Sequence, residues 1–413
     1  MGLDSSLLER VLEHVDAQLV VELTCALVRI DSVYRPEQGT AEEPVARYVA
    51  DRLKAWGFPV RMEEAAPGRP NVMAELRGRR QGKTLLFEAH TDVVTEGDPR
   101  LWTYPPFGGT VAGDRIYGRG ACDTKGNLAA AMVALKAIKD AGVDLPGRIL
   151  LAVPVDEEGL MIGIKRMIQA GWCDGVDGAI ICEPEENQLC IAQKGAIRIG
   201  IRACGKMAHG AMPRAGINPV TPLCRMVARL ADLEREEGLR HGEDPLVGWP
   251  SITPTIFQAP PAGEPQINVI PGEAYLTLDI RTTPQQDHQV LKAAVDAIVR
   301  EEATRVPGLR VEVEIIDERP CTATPASDPV VQAAAEAIRR VTGREPRYNG
   351  VPGATDGTFL WAWKGIPIVT FGAGKREVPH QVDEYVDIPE LVETARLYAA
   401  AAVIFLTAGP GAG

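Results

Sequence analysis

The sequence predicts an α/β protein: an open, mostly parallel sheet with helices on both faces, interrupted by an inserted ferredoxin-like α+β domain. Three observations lead there. Short apolar runs alternate with amphipathic helical patterns in both the first and the last part of the chain, as expected of strands buried between helices. Most of these runs end in a loop carrying a histidine or an acid, where open α/β sheets place their chemistry. From about 193 to 318 the order changes to β-α-β-β-α-β, which can bury its own sheet against two helices.

In chain order, residues 17–30 carry Leu and Val at helical spacing, and 42–56 form an amphipathic helix stopped by Gly57. Strand patterns follow at 59–63, 71–77 and 83–88, the last ending in His90-Thr-Asp92. A loop over 102–109 leads to the glycine-flanked turn Gly118-Arg-Gly-Ala-Cys-Asp123, and an alanine-rich helix pattern over 127–140 starts just behind it. The unit then repeats. A strand over 148–155 runs into Asp156-Glu-Glu-Gly159 and a helix over 160–170, and a strand over 177–182 ends in Glu183. In the insertion the pattern gives strands at 196–204, 252–258, 274–281 and 309–316, with helices at 219–236 and 286–304. A last strand, 366–371, precedes the loop to His380; Asp387 as N-cap and Pro389 in the first turn then open a helix to about 406. The expected domains are thus 1–192 with 319–413, holding the metal site, and the insertion 193–318. The small-residue tail from Thr407 to Gly413 is expected to fray.

Composition narrows the function. At 413 residues, 45% hydrophobic and 24% charged, the chain reads as globular, and a formal charge of −12 opposes nucleic acid or an anionic membrane as partner. Eight cysteines without a Cys-x-x-Cys pair read as reduced thiols in a cytoplasmic protein. The first residues lack the basic start and apolar run of a signal peptide. Gly2 and Ser6 fit the N-myristoylation pattern, which is short enough to arise by chance.

His90, Asp123, Glu157, Glu158, Glu183 and His380 all fall just after a strand or at the start of the next helix. In a doubly wound sheet those ends share one edge, so the six meet in one crevice. Singly, each has a plain explanation: the glutamate pair suits a helix first turn, Glu183 a solvated loop, His380 the surface. Together, four acids without a counter-charge would repel and raise one another's pKa values, and one or two bound divalent cations would remove that conflict. Nucleotide readings of the glycine-rich turn fail on detail. Asp123 stands at the third fingerprint position, and Lys125 precedes Gly126 where a phosphate loop has Ser or Thr.

These motifs, His90-Thr-Asp-Val-Val, Tyr117 to Gly126, Asp156-Glu-Glu-Gly159, Cys182-Glu-Pro184 and Pro379-His380, resemble those of the M20 metallopeptidase family in their order and over nearly the whole chain. That family includes acetylornithine deacetylase, succinyl-diaminopimelate desuccinylase, aminoacylase-1 and glutamate carboxypeptidase. The resemblance implies a zinc-peptidase-like catalytic domain and an inserted lid and dimerisation domain, through which the protein would form a homodimer. It implies two zinc ions, with His90 and Glu183 on one, Glu158 and His380 on the other, and Asp123 bridging. Asp92 would orient His90, and Glu157 would be the general base for a metal-bound water. Ligands of this O and N type also suit cobalt or manganese. In the insertion, His209 resembles the histidine that polarises the scissile carbonyl, often from the partner subunit. Gly210 and Ala211 follow it, where the family more often has a hydroxyl residue. Asn268, Arg281 and the loop Gly353-Ala-Thr355 resemble substrate-contacting positions, the arginine suited to a carboxylate.

The expected substrate is therefore a small molecule bearing a carboxylate, and the expected reaction amide hydrolysis of an N-acyl amino acid or related compound. A carboxypeptidase or dipeptidase would use the same metals, and a non-catalytic binding protein is the reading from another class. The intact ligand set together with Glu157 counts against that last reading.

Overall fold

The computed structural model describes residues 5–39 and 41–408. Gly2 of the myristoylation pattern and the tail beyond 408 lie outside the described residues. The chain divides into two compact units, one of Met1–Ile191, Thr324–Asn349 and Thr355–Gly413, the other of Ala192–Ala323 and Gly350–Ala354. Gly353 therefore belongs with the second unit, although its place in the sequence put it with the first, while Thr355 stays with the first. The cause is local. Lys194 N–H donates to Val351 O at 3.1 Å, and Gly350 lies so close to residues 246–247 that a Cβ there would be 2.5 Å from Val247 Cγ1.

The first unit is organised on one sheet in the order Val60–Ala66, Arg69–Arg77, Pro146–Val153, Arg80–Glu88, Gly178–Ile181, Ile368–Thr370, Leu189–Gln193. The four strands from Pro146–Val153 to Ile368–Thr370 are parallel, and antiparallel neighbours flank them. Strand Arg80–Glu88 shows why its apolar run is continuous. Leu85 and Phe87 pack toward helices Lys125–Asp140 and Ile388–Thr407, and Leu86 toward Ile162–Gln169 and Gly357–Lys364, all three fully buried. A strand covered on both faces has no polar side to alternate with. Alanines 129–131 and 399–402 let the two helices on the first face approach closely, and Tyr398 donates from there to Phe371 O at 2.8 Å.

In the second unit the strands lie in the order Ser251–Gln258, Glu273–Thr282, Gly195–Cys204, Arg310–Arg319, all antiparallel, as a ferredoxin-like sheet requires. Ile197, Ile199, Ile201, Leu276, Leu278 and Ile280 meet Leu223, Met226, Leu230, Leu291 and Val295 from helices Val220–His241 and His288–Thr304.

Several elements went unread in the sequence: helices Ser5–Glu13, Pro329–Thr342 and Gly357–Lys364, and strand Leu189–Gln193. Asp387 is the N-cap residue of the last helix, as expected, but its side chain makes no capping hydrogen bond and its carboxylate pairs with Arg115 at 2.9 Å instead. No helix among the described residues is long and apolar enough to cross a membrane. All eight cysteines are free, five of them buried.

Candidate metal centre

Three of the parallel strands deliver acids or histidines directly from their carboxyl ends. His90 follows Arg80–Glu88, Glu157 and Glu158 follow Pro146–Val153, and Glu183 follows Gly178–Ile181. His380 comes from the longer loop behind Ile368–Thr370, in the left-handed region at φ 66°. Asp123 immediately precedes Thr124, the N-cap of helix Lys125–Asp140.

The structure brings all six together. His90 Nε2 is 3.1 Å from Asp123 Oδ1 and 3.6 Å from Glu183 Oε1. His380 Nε2 is 2.9 Å from Glu158 Oε1 and 3.4 Å from Asp123 Oδ2. Ligand atoms of His90, Asp123 and Glu158 all lie within 4.8 Å of one another. Asp92 sits behind them. Its oxygens accept the N–H groups of Glu157 at 3.1 Å and Glu158 at 3.0 Å, and Oδ1 is 3.5 Å from His90 Nδ1.

Charge is poorly balanced in this cluster. Burial pushes the carboxyls of Glu157 and Glu183 well up, with His90 only partly opposing, and burial and Asp123 push Glu158 up. Burial also disfavours charge on His90, yet Glu183, Asp123 and Asp92 outweigh it and raise its pKa. His380 is raised to about 10 by its bonds to Asp123 and Glu158. Glu183 Oε1 is buried without a hydrogen-bond partner. Acids that crowd together, with an orphaned carboxylate oxygen pointed at a ring nitrogen, fit a divalent cation as the missing partner.

Some contributors carry no sequence motif. Glu384 is fully buried; its Oε1 accepts the N–H groups of Gly120, Cys122 and Asp123 at 3.0, 3.0 and 3.1 Å, and Oε2 pairs with Arg119. Arg119 also donates to Thr95 O and His380 O, so one ion pair ties together the loops of His90, Asp123 and His380. Glu88, the last strand residue before the site, is buried with both oxygens unpartnered, and burial raises it to about 8. Lys125 is spent structurally: fully buried, it donates to Ile30 O at 2.7 Å. A lone acidic residue four places after His380 was the signal for Glu384, and it is too common to read.

The remaining expected residues fall elsewhere in the chain. In the second unit, His209 pairs in register with Val269, next to Asn268, whose carbonyl accepts Gly210 N–H at 2.7 Å. Arg281 spends its Nε and one Nη on Asp279 at 2.6 and 3.1 Å, leaving Nη1 about as near as 4.0 Å to where a Gly353 Cβ would stand. Thr355, in the first unit, is buried, and its hydroxyl accepts Gly357 N–H at 3.3 Å.

An aspartate whose two oxygens face two histidines, among acids that want a counter-ion, marks a metallo-hydrolase. The comparisons name the family: the profile described as Peptidase family M20/M25/M40 matches residues 86–403, and the chain belongs to that family. A succinyl-diaminopimelate desuccinylase of Methylobacterium sp. (strain 4-46) is 30% identical over 400 residues, 94% of this chain and 96% of its own length. An M20 metallo-carboxypeptidase of Sulfolobus solfataricus superposes with a TM-score of 0.77 at 19% identity, covering 94% of this chain and 99% of its own. A dinuclear metal-binding M20 peptidase of Bacillus subtilis gives 0.70 at 18% identity, covering 94% and 98%.

Proposed function

We propose that this M20 hydrolase uses two divalent metal ions to cleave the amide bond of an N-acyl amino acid or a related small N-acyl compound. The observation that carries the reading is Asp123, with Oδ1 toward His90 and Oδ2 toward His380. A carboxylate turned toward two separate histidines suits a ligand shared by two cations. His90 and Glu183 would hold one ion, His380 and Glu158 the other. When bound, such ions, zinc first with cobalt or manganese as substitutes, supply Lewis acidity and a water that ionises near neutral pH.

The chain's own residues do the rest. Glu157 takes a proton from the attacking water and delivers it to the departing nitrogen, so that a C–O bond replaces the C–N bond and an acid and a free amine leave. Asp92 fixes the His90 ring and both glutamate amides at once. His209, as a member of a homodimer, would polarise the carbonyl in the partner's site, and Asn268, Arg281, Gly353 and Thr355 would hold the substrate and its carboxylate. The name of the 30%-identical relative, a desuccinylase, supports acyl removal.

The test is elemental analysis of wild type beside Glu157→Ala, with both assayed on N-acyl amino acids and dipeptides. Two ions per chain in both proteins are expected, with hydrolysis of N-acyl amino acids slowed about 10²–10⁴-fold in the variant. Wild type that takes up no divalent ion after reconstitution overturns the site assignment. Cleavage of dipeptides alone overturns the substrate class.

A further inference from the structure

The turn that carries Glu157 and Glu158 is wound around the carboxylate of the residue before them. Asp156 stands in the left-handed region at φ 67°, and its Oδ2 accepts the N–H groups of Leu160 at 2.9 Å and Ile162 at 3.3 Å. Its backbone oxygen accepts those of Gly159 and Met161. The winding is tight enough that a Cβ at Gly159 would come within 2.4 Å of Asp156 Oδ1. A side chain at Gly159 would push the Asp156 carboxylate out of this position.

That same Oδ1 is held from outside by Arg69 Nη2 at 2.6 Å. Arg69 is buried, and its Nε lies 3.0 and 2.9 Å from the two oxygens of Glu42, which is fully buried; its Nη2 also reaches Glu42 Oε1. The ring of Tyr34 covers the guanidinium at 3.8 Å. One cation thus stands between two buried acids, with an aromatic face over it. Lysine could supply the charge but not the planar fork that engages both acids in fixed directions.

We propose that Glu42, Arg69 and Asp156 form a positioning relay that sets the Glu157–Glu158 turn, with Arg69 as the residue on which it depends. Asp92 grips the turn by two amides from the side of His90, and the relay grips it from the opposite end. Neither Glu42 nor Arg69 touches the cluster of donors itself. The contact by which their effect reaches it is the one to Asp156, through the direction in which Glu157 and Glu158 leave the turn. The relay rests on the two-metal reading above for what those glutamates do.

The test uses the full chain in three forms, wild type, Arg69→Met and Arg69→Met/Glu42→Gln, read by cobalt(II) titration, thermal unfolding and kcat against KM. The double variant removes one of the two carboxylates that the single one strands, leaving Asp156 with only its backbone N–H partners, so its Tm is expected to return part of the way to wild type. Both variants are nevertheless expected to lose about 10–100-fold in affinity for one of two cobalt ions, and as much in kcat, with KM little changed. A double variant that regains Tm together with wild-type cobalt affinity and kcat overturns the relay and leaves a purely structural ion pair. Wild type that fails to bind two cobalt ions overturns the two-metal reading instead, a result that the variants do not enter.

Discussion

Asp123 is fixed before any metal arrives, because its own N–H and those of Gly120 and Cys122 all end on Glu384 Oε1. Burial raises Glu384 to about 7, and Arg119 is the cation that opposes this. Replacing Glu384 by Gln strands the Arg119 guanidinium, only 3% exposed, without its counter-charge. Breaking a buried pair from one side costs about 3–5 kcal/mol. Denaturant unfolding of Glu384→Gln is expected to show that loss, with metal bound per chain falling alongside it. An unchanged midpoint would mean that the amide oxygen keeps the three N–H groups and that Arg119 finds another counter-charge. Glu157→Ala, by contrast, should keep its metal and lose turnover, since among the described residues no backbone N–H is hydrogen-bonded to the Glu157 carboxylate as three are to Glu384.

At the scale of elements, helix Ile388–Thr407 closes the sheet and touches the loop that leads to His380 through Glu390, whose Oε2 accepts Gly374 N–H at 3.3 Å. Burial, then Asp387, Glu186 and Glu393, raise Glu390 from the ordinary 4.5 to about 7. A carboxyl raised on folding binds its proton more tightly in the folded state. Its contribution is therefore complete below about pH 4.5 and lost as pH rises through about 7. Glu390→Gln keeps the acceptor and drops the charge, so its Tm is expected to exceed that of wild type at pH 8 and to match it at pH 4.5. Glu390 is partly exposed, so the gain should be well below what full burial would give. Equal Tm values across the range would show that water already screens the charge.

For the whole molecule, the crowded acids predict that metal and stability are linked. A divalent ion that binds the folded chain at one site would, when held free at about 100 times its Kd, add about 2.7 kcal/mol to folding. A chelator should lower Tm accordingly, and added zinc or cobalt should restore it; the same Tm with and without chelator would contradict a cation site among His90, Asp123 and Glu158. Much of this was legible along the chain. The run Leu85 to Phe87 of strand Arg80–Glu88 is apolar on both faces and announces its own burial, and the polar residues just past such strands mark one sheet edge. By itself the sequence thus determined the class of fold and the β-α-β-β-α-β insertion, and it singled out six residues that the fold brings together, because periodicity is local and four of the six stand just beyond a strand end. Tertiary structure alone decided that Glu384 accepts the Asp123 N–H from 261 residues away, that Arg69 pairs with Asp156, that Asp387 turns to Arg115 and that Gly353 sides with the second unit. Those are pairings between distant segments, and a hydrogen bond or ion pair of that kind leaves no period in the chain that forms it.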